Sequence, residues 1–352
     1  MVFTMNRDEI INEIRQIASG LDSDNVSVIN LLEEHECLFL LSHISSYKSK
    51  LQMQIAINQV VTKLRYRSCA PVFEDLSNIP YAVIKGAVMS SQIYNNPGYR
   101  LSGDIDILAP LEHIDNIKTI LNKHGFIQGR AVRDSVLPYT RQELIYQKTF
   151  THQIAAFVKP TGDKLCPYVN IDVNYDVFWG ESDRSCDLEL FIENRVPTNV
   201  FGVTTYKLDP IYEFISLCMH HYKDFNSLYL LTSRGIKLSL FCDIFFYLLN
   251  VPFDPKKLKD TCDTLGVSEY IGFCIYHTQR IFLHPKLELF SELFCPFHND
   301  GLLNRFGLSI DEYKHPGFGI SEYIFDKSYQ EALKSMLTEK DWVKIKTNLE
   351  FM

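Results

Sequence analysis

The sequence predicts an α+β protein, with a central mixed sheet carrying helices and helical regions on both flanks. Three observations lead there. Apolar residues recur at helical spacing near both ends, as Ile10, Ile14 and Ile17, then Ile211, Phe214, Ile215 and Cys218. The middle instead holds short apolar runs bounded by Gly, Pro and Asn. Two of those runs, "DIDIL" and "NIDVN", alternate polar and aliphatic residues as a half-buried strand does.

The elements follow in chain order. From about residue 6 to 78 the pattern is helical, through "DEIINEIRQIASGL", "SVINLLEEHECLFLLSHI" and "KLQMQIAINQVVTKLRYRSCAPVFEDL". "IPYAVIKG" then reads as a buried strand stopped by Gly86, and "AVMSSQIY" as a short helix. "NNPGYR" is turn chemistry, and "DIDILAP" is the next strand, ended by Pro110. "LEHIDNIKTILNKHGF" places Ile114, Ile117, Ile120 and Leu121 on one helical face, with Gly125 as its stop. A polar stretch leads to two further expected strands, "KTFTHQIAAFV" and "CPYVNIDVNYDVF". From about Leu208 the chain is helical again, with Asp209 as cap and Pro210 at the first helical position. The expected regions are 1–78, helical; 79–205, the central sheet region; and 206–352, helical.

The 352 residues are 46% hydrophobic and 22% charged, the balance of a soluble globular protein, and long enough for two or three domains. The most apolar stretch starts at Ile236, is broken by Asp243 and is too short for a membrane span. The N-terminal "MVFTMNRDEIINEIRQ" has early acids and no apolar core of a secretory signal. Nine scattered cysteines without a C-x-x-C pair suit reduced thiols in a cytoplasmic protein and argue against a zinc site. His220 and His221, in an apolar helix, read as core or interface histidines. A net charge of -8 weighs against a broad nucleic-acid surface, although Lys63, Arg65 and Arg67 offer a local basic group if they converge.

"YRLSGDIDILAP" carries the chemistry. On a strand Asp104 and Asp106 point the same way, while Ile105 and Ile107 face the core. On their own they also suit an exposed edge strand. Two carboxylates a strand-step apart repel, and a divalent cation removes that cost. A third acid on a neighbouring strand would complete such a site. In "VNIDVNYDV", Asp172 falls on the polar face, and Asp176 has the same parity and is the second choice. In "KGAVMSS", Gly86 stands between strand and helix, where free N–H groups meet phosphate. Ser90 and Ser91 could add hydroxyls, and Lys85 and Arg100 could balance phosphate charge. P-loop and dinucleotide-binding glycine motifs are absent.

"IKGAVMSSQIYNNPGYRLSGDIDILAP" resembles the opening of a polymerase-β-type nucleotidyltransferase domain. It is most similar to the bacterial branch labelled "uncharacterised nucleotidyltransferase". That branch shows a Lys-Gly turn, an Arg before the acid pair, a Gly-Phe after the next helix and a third acid on a later strand. Here they correspond to Lys85-Gly86, Arg100, Gly125-Phe126 and Asp172. The resemblance spans roughly residues 79–250, including "LDPIYEFISLCMHHYKDF" and "GIKLSLFCDIFFYLL". Two positions depart from the pattern. Ala87 replaces the usual Ser or Gly after Gly86, and Asn174 stands where relatives often carry a His.

The resemblance implies that 79–205 is the catalytic domain of a metal-dependent nucleotidyltransferase. It would move NMP from an NTP, with ATP the default, to an acceptor and release pyrophosphate. Asp104, Asp106 and Asp172 would hold Mg²⁺ or Mn²⁺, while Lys85, Gly86, Ser90 and Arg100 would bind the triphosphate. The expected acceptor is a small molecule, peptide or protein rather than nucleic acid, with no membrane involved. The alternatives are a catalytically silent nucleotide- or peptide-binding module of the same fold, suggested by Ala87 and Asn174, and a hydrolase using the same acids.

Overall fold

The computed structural model describes residues 6–100, 102–132 and 135–351, with the side chains of residues 351 and 352 not described. Residues 1–5, the start of the stretch read for a secretory signal, lie outside the described residues. These fall into two compact units, one from Met1–Met53 with Leu217–Glu350 and the other from Gln54–Ser216.

The Gln54–Ser216 unit holds the strands β1 (Ala82–Ile84), β2 (Ile105–Leu108), β3 (Ile127–Val132), β4 (Ser135–Pro138), β5 (Phe157–Pro160), β6 (Tyr168–Asn174), β7 (Val196–Val200) and β8 (Val203–Lys207). They form one mixed sheet in the order β4-β3-β5-β6-β2-β1-β8-β7. β2 pairs antiparallel with β1 and parallel with β6. Its buried face joins Ile105 and Ile107 to Val169, Ile171 and Val173. The far part of the helix Lys48–Asp75 and the helix Ile114–Lys123 contribute Tyr66, Cys69, Val72, Phe73, Ile117 and Leu121 to the same core. These are the α+β class and mixed sheet that the sequence predicts.

Three local features differ from expectation. "KTFTHQIAAFV" is not one strand: Lys148–Phe150 end the helix Arg141–Phe150, and only Phe157 and Val158 of this segment join a strand. Thr140 and Glu143 form a reciprocal capping box that starts that helix, so a local polar exchange overrides the apolar run that follows. The polar stretch before it forms the hairpin β3–β4, and "VPTNVFGVTTYK" forms the hairpin β7–β8 around Gly202. The β3–β4 hairpin is a mostly exposed sheet edge, so its alternation is weak, while β7–β8 sends only Val200 and Val203 into the core from a largely polar run. The expected helix stop at Gly125 is present, with φ of 80°.

The other unit is helical. Phe225 stacks on Phe241 with ring centres 4.4 Å apart, and Phe245 stacks on Phe282 at 4.3 Å. The helix Pro210–Asn226 opens as expected, with Asp209 accepting from the Ile211 N–H at 3.0 Å. Seven of the nine free cysteines are buried. Among the described residues no helix is long and apolar enough to cross a membrane.

Ile107 is fully buried at the centre of the sheet core. Ile107→Ala should lower unfolding stability by about 2–5 kcal/mol, read as a fall in the urea midpoint at unchanged slope. A midpoint equal to the parent's would mean that β2 does not carry the core.

Candidate functional site

The site forms where β1, β2 and β6 run side by side. Asp106 stands opposite Asp172 in the parallel register, and opposite Ile84 in the antiparallel one. Neighbouring strands lie about 4.8 Å apart, so Asp106 and Asp172 leave the same sheet face as close neighbours. Asp104 immediately precedes β2 and Lys85 immediately follows β1. All four side chains are partly buried. Lys85 Nζ lies 3.4 Å from Asp106 Oδ1.

The turn after β1 is strained. Lys85 has φ 59° and ψ -152°, and Gly86 has φ 52°. Such backbone at a non-glycine residue costs on the order of 1–3 kcal/mol and persists only where its surroundings hold it. A Cβ at Gly86 would also stand 3.3 Å from Ser102 Oγ, which would have to give by a few tenths of an ångström. The helix Gly86–Ile93 starts at this turn. Its buried Ala87 offers no hydroxyl, so the polar groups that open this helix are backbone N–H groups.

Side chains behind the acids fix their loop. The Ser102 hydroxyl bonds both the backbone oxygen of Asp104, at 2.8 Å, and its carboxylate, at 3.0 Å. The buried guanidinium of Arg65 donates to the Ser102 carbonyl. Asn58 donates to the Gly98 carbonyl at 2.9 Å, and Gln59 to Asn96 Oδ1 at 2.8 Å, so "NNPGYR" is pinned to the helix Lys48–Asp75. Gly98 must be glycine, because a Cβ would lie 2.6 Å from the Ile55 carbonyl.

Burial pushes the Asp104 carboxyl above its ordinary value, and the Asp106 charge pushes the same way. Lys85, Ser102 and Arg65 act in the opposite direction. The donor set therefore fits a divalent cation: three carboxylates on adjacent strands, one of them reluctant to carry its charge without a counterion.

The remaining sequence-selected residues are placed as follows. Arg100 is partly buried and follows the turn Pro97–Tyr99. Ser90 is fully buried and donates to the Asn96 carbonyl at 3.0 Å, while Ser91 donates to the Ala87 carbonyl at 2.7 Å. Asp176 lies beyond β6 and accepts the Phe178 N–H at 2.9 Å and the Cys186 N–H at 3.3 Å, and burial raises its pKa. Asn174 donates to Asp106 Oδ1 and to the Ile107 carbonyl, both at 3.3 Å. Lys63 and Arg67 are exposed while Arg65 is turned inward, so the three do not converge.

Arg65 and Ser102 were not selected from the sequence as site residues. Arg65 had a signal, since it lies on the apolar stripe of Cys69, Val72 and Leu76 where a cation needs a reason. Ser102 had only its position two residues before Asp104. Tyr139 had none. Burial raises its pKa, and the Asp172 charge adds to the rise.

The mixed sheet, the Lys-Gly turn and the strand acids describe a protein of the nucleotidyltransferase type. Residues 28–283 match the family model described as "Uncharacterised nucleotidyltransferase", and the chain belongs to that family. Comparison with curated proteins gives no match. Among solved structures, the chain is similar to an antigenic nucleotidyltransferase-like protein from Paracoccidioides brasiliensis, at 17% identity and a TM-score of 0.39. The match covers 69% of this chain and 98% of that one.

The raised Asp104 pKa has a consequence for stability. The folded chain holds this proton more tightly than the unfolded chain. The stabilisation is therefore complete below the unfolded pKa and lost as pH rises through the raised folded value. Asp104→Asn removes that loss. In metal-free buffer its Tm should equal or exceed the parent's near about pH 7, with the difference closing toward about pH 4. A Tm clearly below the parent's at the higher pH would show that the charge is not a burden to the fold.

Proposed function

We propose that this chain transfers an NMP unit from an NTP to an acceptor and releases pyrophosphate. The observation that carries this reading is the in-register pairing of Asp106 with Asp172, beside the Lys85–Gly86 turn. Family membership supports it.

In this reading Asp104, Asp106 and Asp172 hold a divalent cation, Mg²⁺ or Mn²⁺. Its charge would offset the triphosphate and the carboxylates together. The N–H groups opening the helix Gly86–Ile93 receive phosphate oxygens, and Lys85 and Arg100 balance their charge. Ser90 acts through the turn it bonds, by holding Asn96 in place. Asp172, at the β6 side, takes the proton from the acceptor nucleophile as it attacks the α-phosphorus. The bond from that phosphorus to the bridging oxygen breaks, and pyrophosphate departs with the electron pair. Catalysis is then mainly positioning and charge compensation. ATP is the first donor to test.

The proposed acceptor is a small molecule, peptide or protein. The net charge of -8 and the failure of Lys63, Arg65 and Arg67 to converge support this choice over nucleic acid. A second reading is a silent nucleotide-binding module. Asn174 favours it by occupying one Asp106 oxygen, and Ala87 by removing a hydroxyl.

Pyrophosphate release and labelled-nucleotide transfer should be measured alongside NTP binding. Asp106→Asn and Asp172→Asn should each lower transfer by about 10²–10³-fold or more. Asp172→Asn should spare NTP binding more than Asp106→Asn does. Asp176→Asn should retain transfer, because that carboxylate is committed to two backbone N–H groups. Loss confined to Asp176→Asn would move the third acid to that position. NTP binding without pyrophosphate release from any acceptor class would favour the silent module.

A further inference from the structure

The unit containing Leu217–Glu350 has its own set of metal-type donors. His220, His221 and Asp224, on the helix Pro210–Asn226, each offer one ligand atom, and those atoms lie within 4.8 Å of one another. Among the described residues this is the trio of His, Cys, Asp or Glu side chains set that closely. We infer that His220, His221 and Asp224 bind a first-row divalent transition ion, with Asp243 as the carboxylate behind His221.

The spacing supports chelation. His220 and Asp224 are four residues apart, so they share one helix face, and His220 Nε2 lies 3.4 Å from Asp224 Oδ2. Two ligands on a tetrahedral ion with bonds of about 2.0–2.1 Å stand about 3.3–3.4 Å apart, which is the separation seen. Lys223 Nζ lies 3.6 Å from the other oxygen, Asp224 Oδ1, so that pairing leaves Oδ2 facing the histidine.

The surroundings are those of a built site. His221 is fully buried, and its Nε2 lies 3.4 Å from Oδ2 of Asp243, which is 1% exposed on the helix Leu238–Asn250. A carboxylate on one ring nitrogen commonly orients a histidine whose other nitrogen meets a metal. The stacked Phe225 and Phe241 lie alongside, with Phe225 packed 6.1 Å from the His221 ring. Two carboxylates and two imidazoles at a helix crossing are costly to desolvate, and a divalent ion offsets that cost. His220 and Asp224 keep 22% and 17% of their side-chain surface exposed, which gives the ion a way in. Two imidazoles and a carboxylate suit Zn²⁺ and its first-row neighbours better than Mg²⁺. Three protein donors leave a fourth position for solvent.

The test uses the full chain carrying Asp104→Asn and Asp106→Asn, so that the strand acids do not take up the probe. After chelator treatment and dialysis, ZnCl₂ is titrated by calorimetry and CoCl₂ by visible absorption. The expected result is one equivalent of Zn²⁺ bound, a Co²⁺ spectrum of low-symmetry coordination, and a Tm raised by Zn²⁺. His220→Ala and Asp224→Asn, at partly exposed positions, should each weaken Zn²⁺ binding at least about 10-fold and abolish the Tm rise. Asp243→Asn should weaken it about 10–100-fold, provided that variant folds. No stoichiometric uptake, or uptake unchanged in both His220→Ala and Asp224→Asn, overturns the inference.

Discussion

The parallel pairing of β2 with β6 is the constraint on which the sheet unit depends. It sets Ile105 beside Ile171 and Ile107 beside Val173 on the buried face. The same register sets Asp106 beside Asp172 on the other face. Because side chains alternate, the pairing that buries the aliphatic residues also brings the acids together. A slip of one residue would put carboxylates into the core and aliphatic residues at the site. Core and site are therefore specified by one register, and the hydrophobic face holds carboxylates that would otherwise repel each other.

That register is held from behind. The helix Lys48–Asp75 packs Tyr66, Cys69 and Phe73 against the sheet and sends Arg65 to the Ser102 carbonyl. Ser102 in turn bonds Asp104. Asn58 and Gln59, both about two turns earlier, hold the loop that precedes the acids. The strained Lys85 conformation sits between these supports, next to the glycine that Ser102 crowds. Rigidity around the acids thus comes from side-chain to backbone bonds, which is the support that a precisely positioned site needs.

The helical unit follows a different rule. Its interior is built from stacked aromatic pairs, yet it buries His221 and Asp243 among them. Aromatic packing supplies stability that tolerates a few costly buried polar groups.

The sequence by itself determined the class of fold and the sheet face that Asp106 and Asp172 share. Alternation in "DIDIL" and "NIDVN" gave the face of Asp104, Asp106 and Asp172, because strand periodicity is local and binary. Helical spacing located Ile10–Ile17 and Ile211–Cys218 for the same reason. The β3–β4 hairpin was not legible because its residues are mostly exposed, and β7–β8 was not because Val200 and Val203 are its few core residues in a largely polar run. The helix Arg141–Phe150 was hidden because its capping exchange outweighs the apolar residues after it. Only tertiary structure decided that Asp172, rather than Asp176, stands opposite Asp106, because parity cannot say where a strand ends. Only tertiary structure turned Ser90 toward Asn96 and Arg65 toward the acid loop. It alone set His221 against Asp243, because contacts between residues far apart in the chain are fixed by packing and leave no periodic trace in sequence.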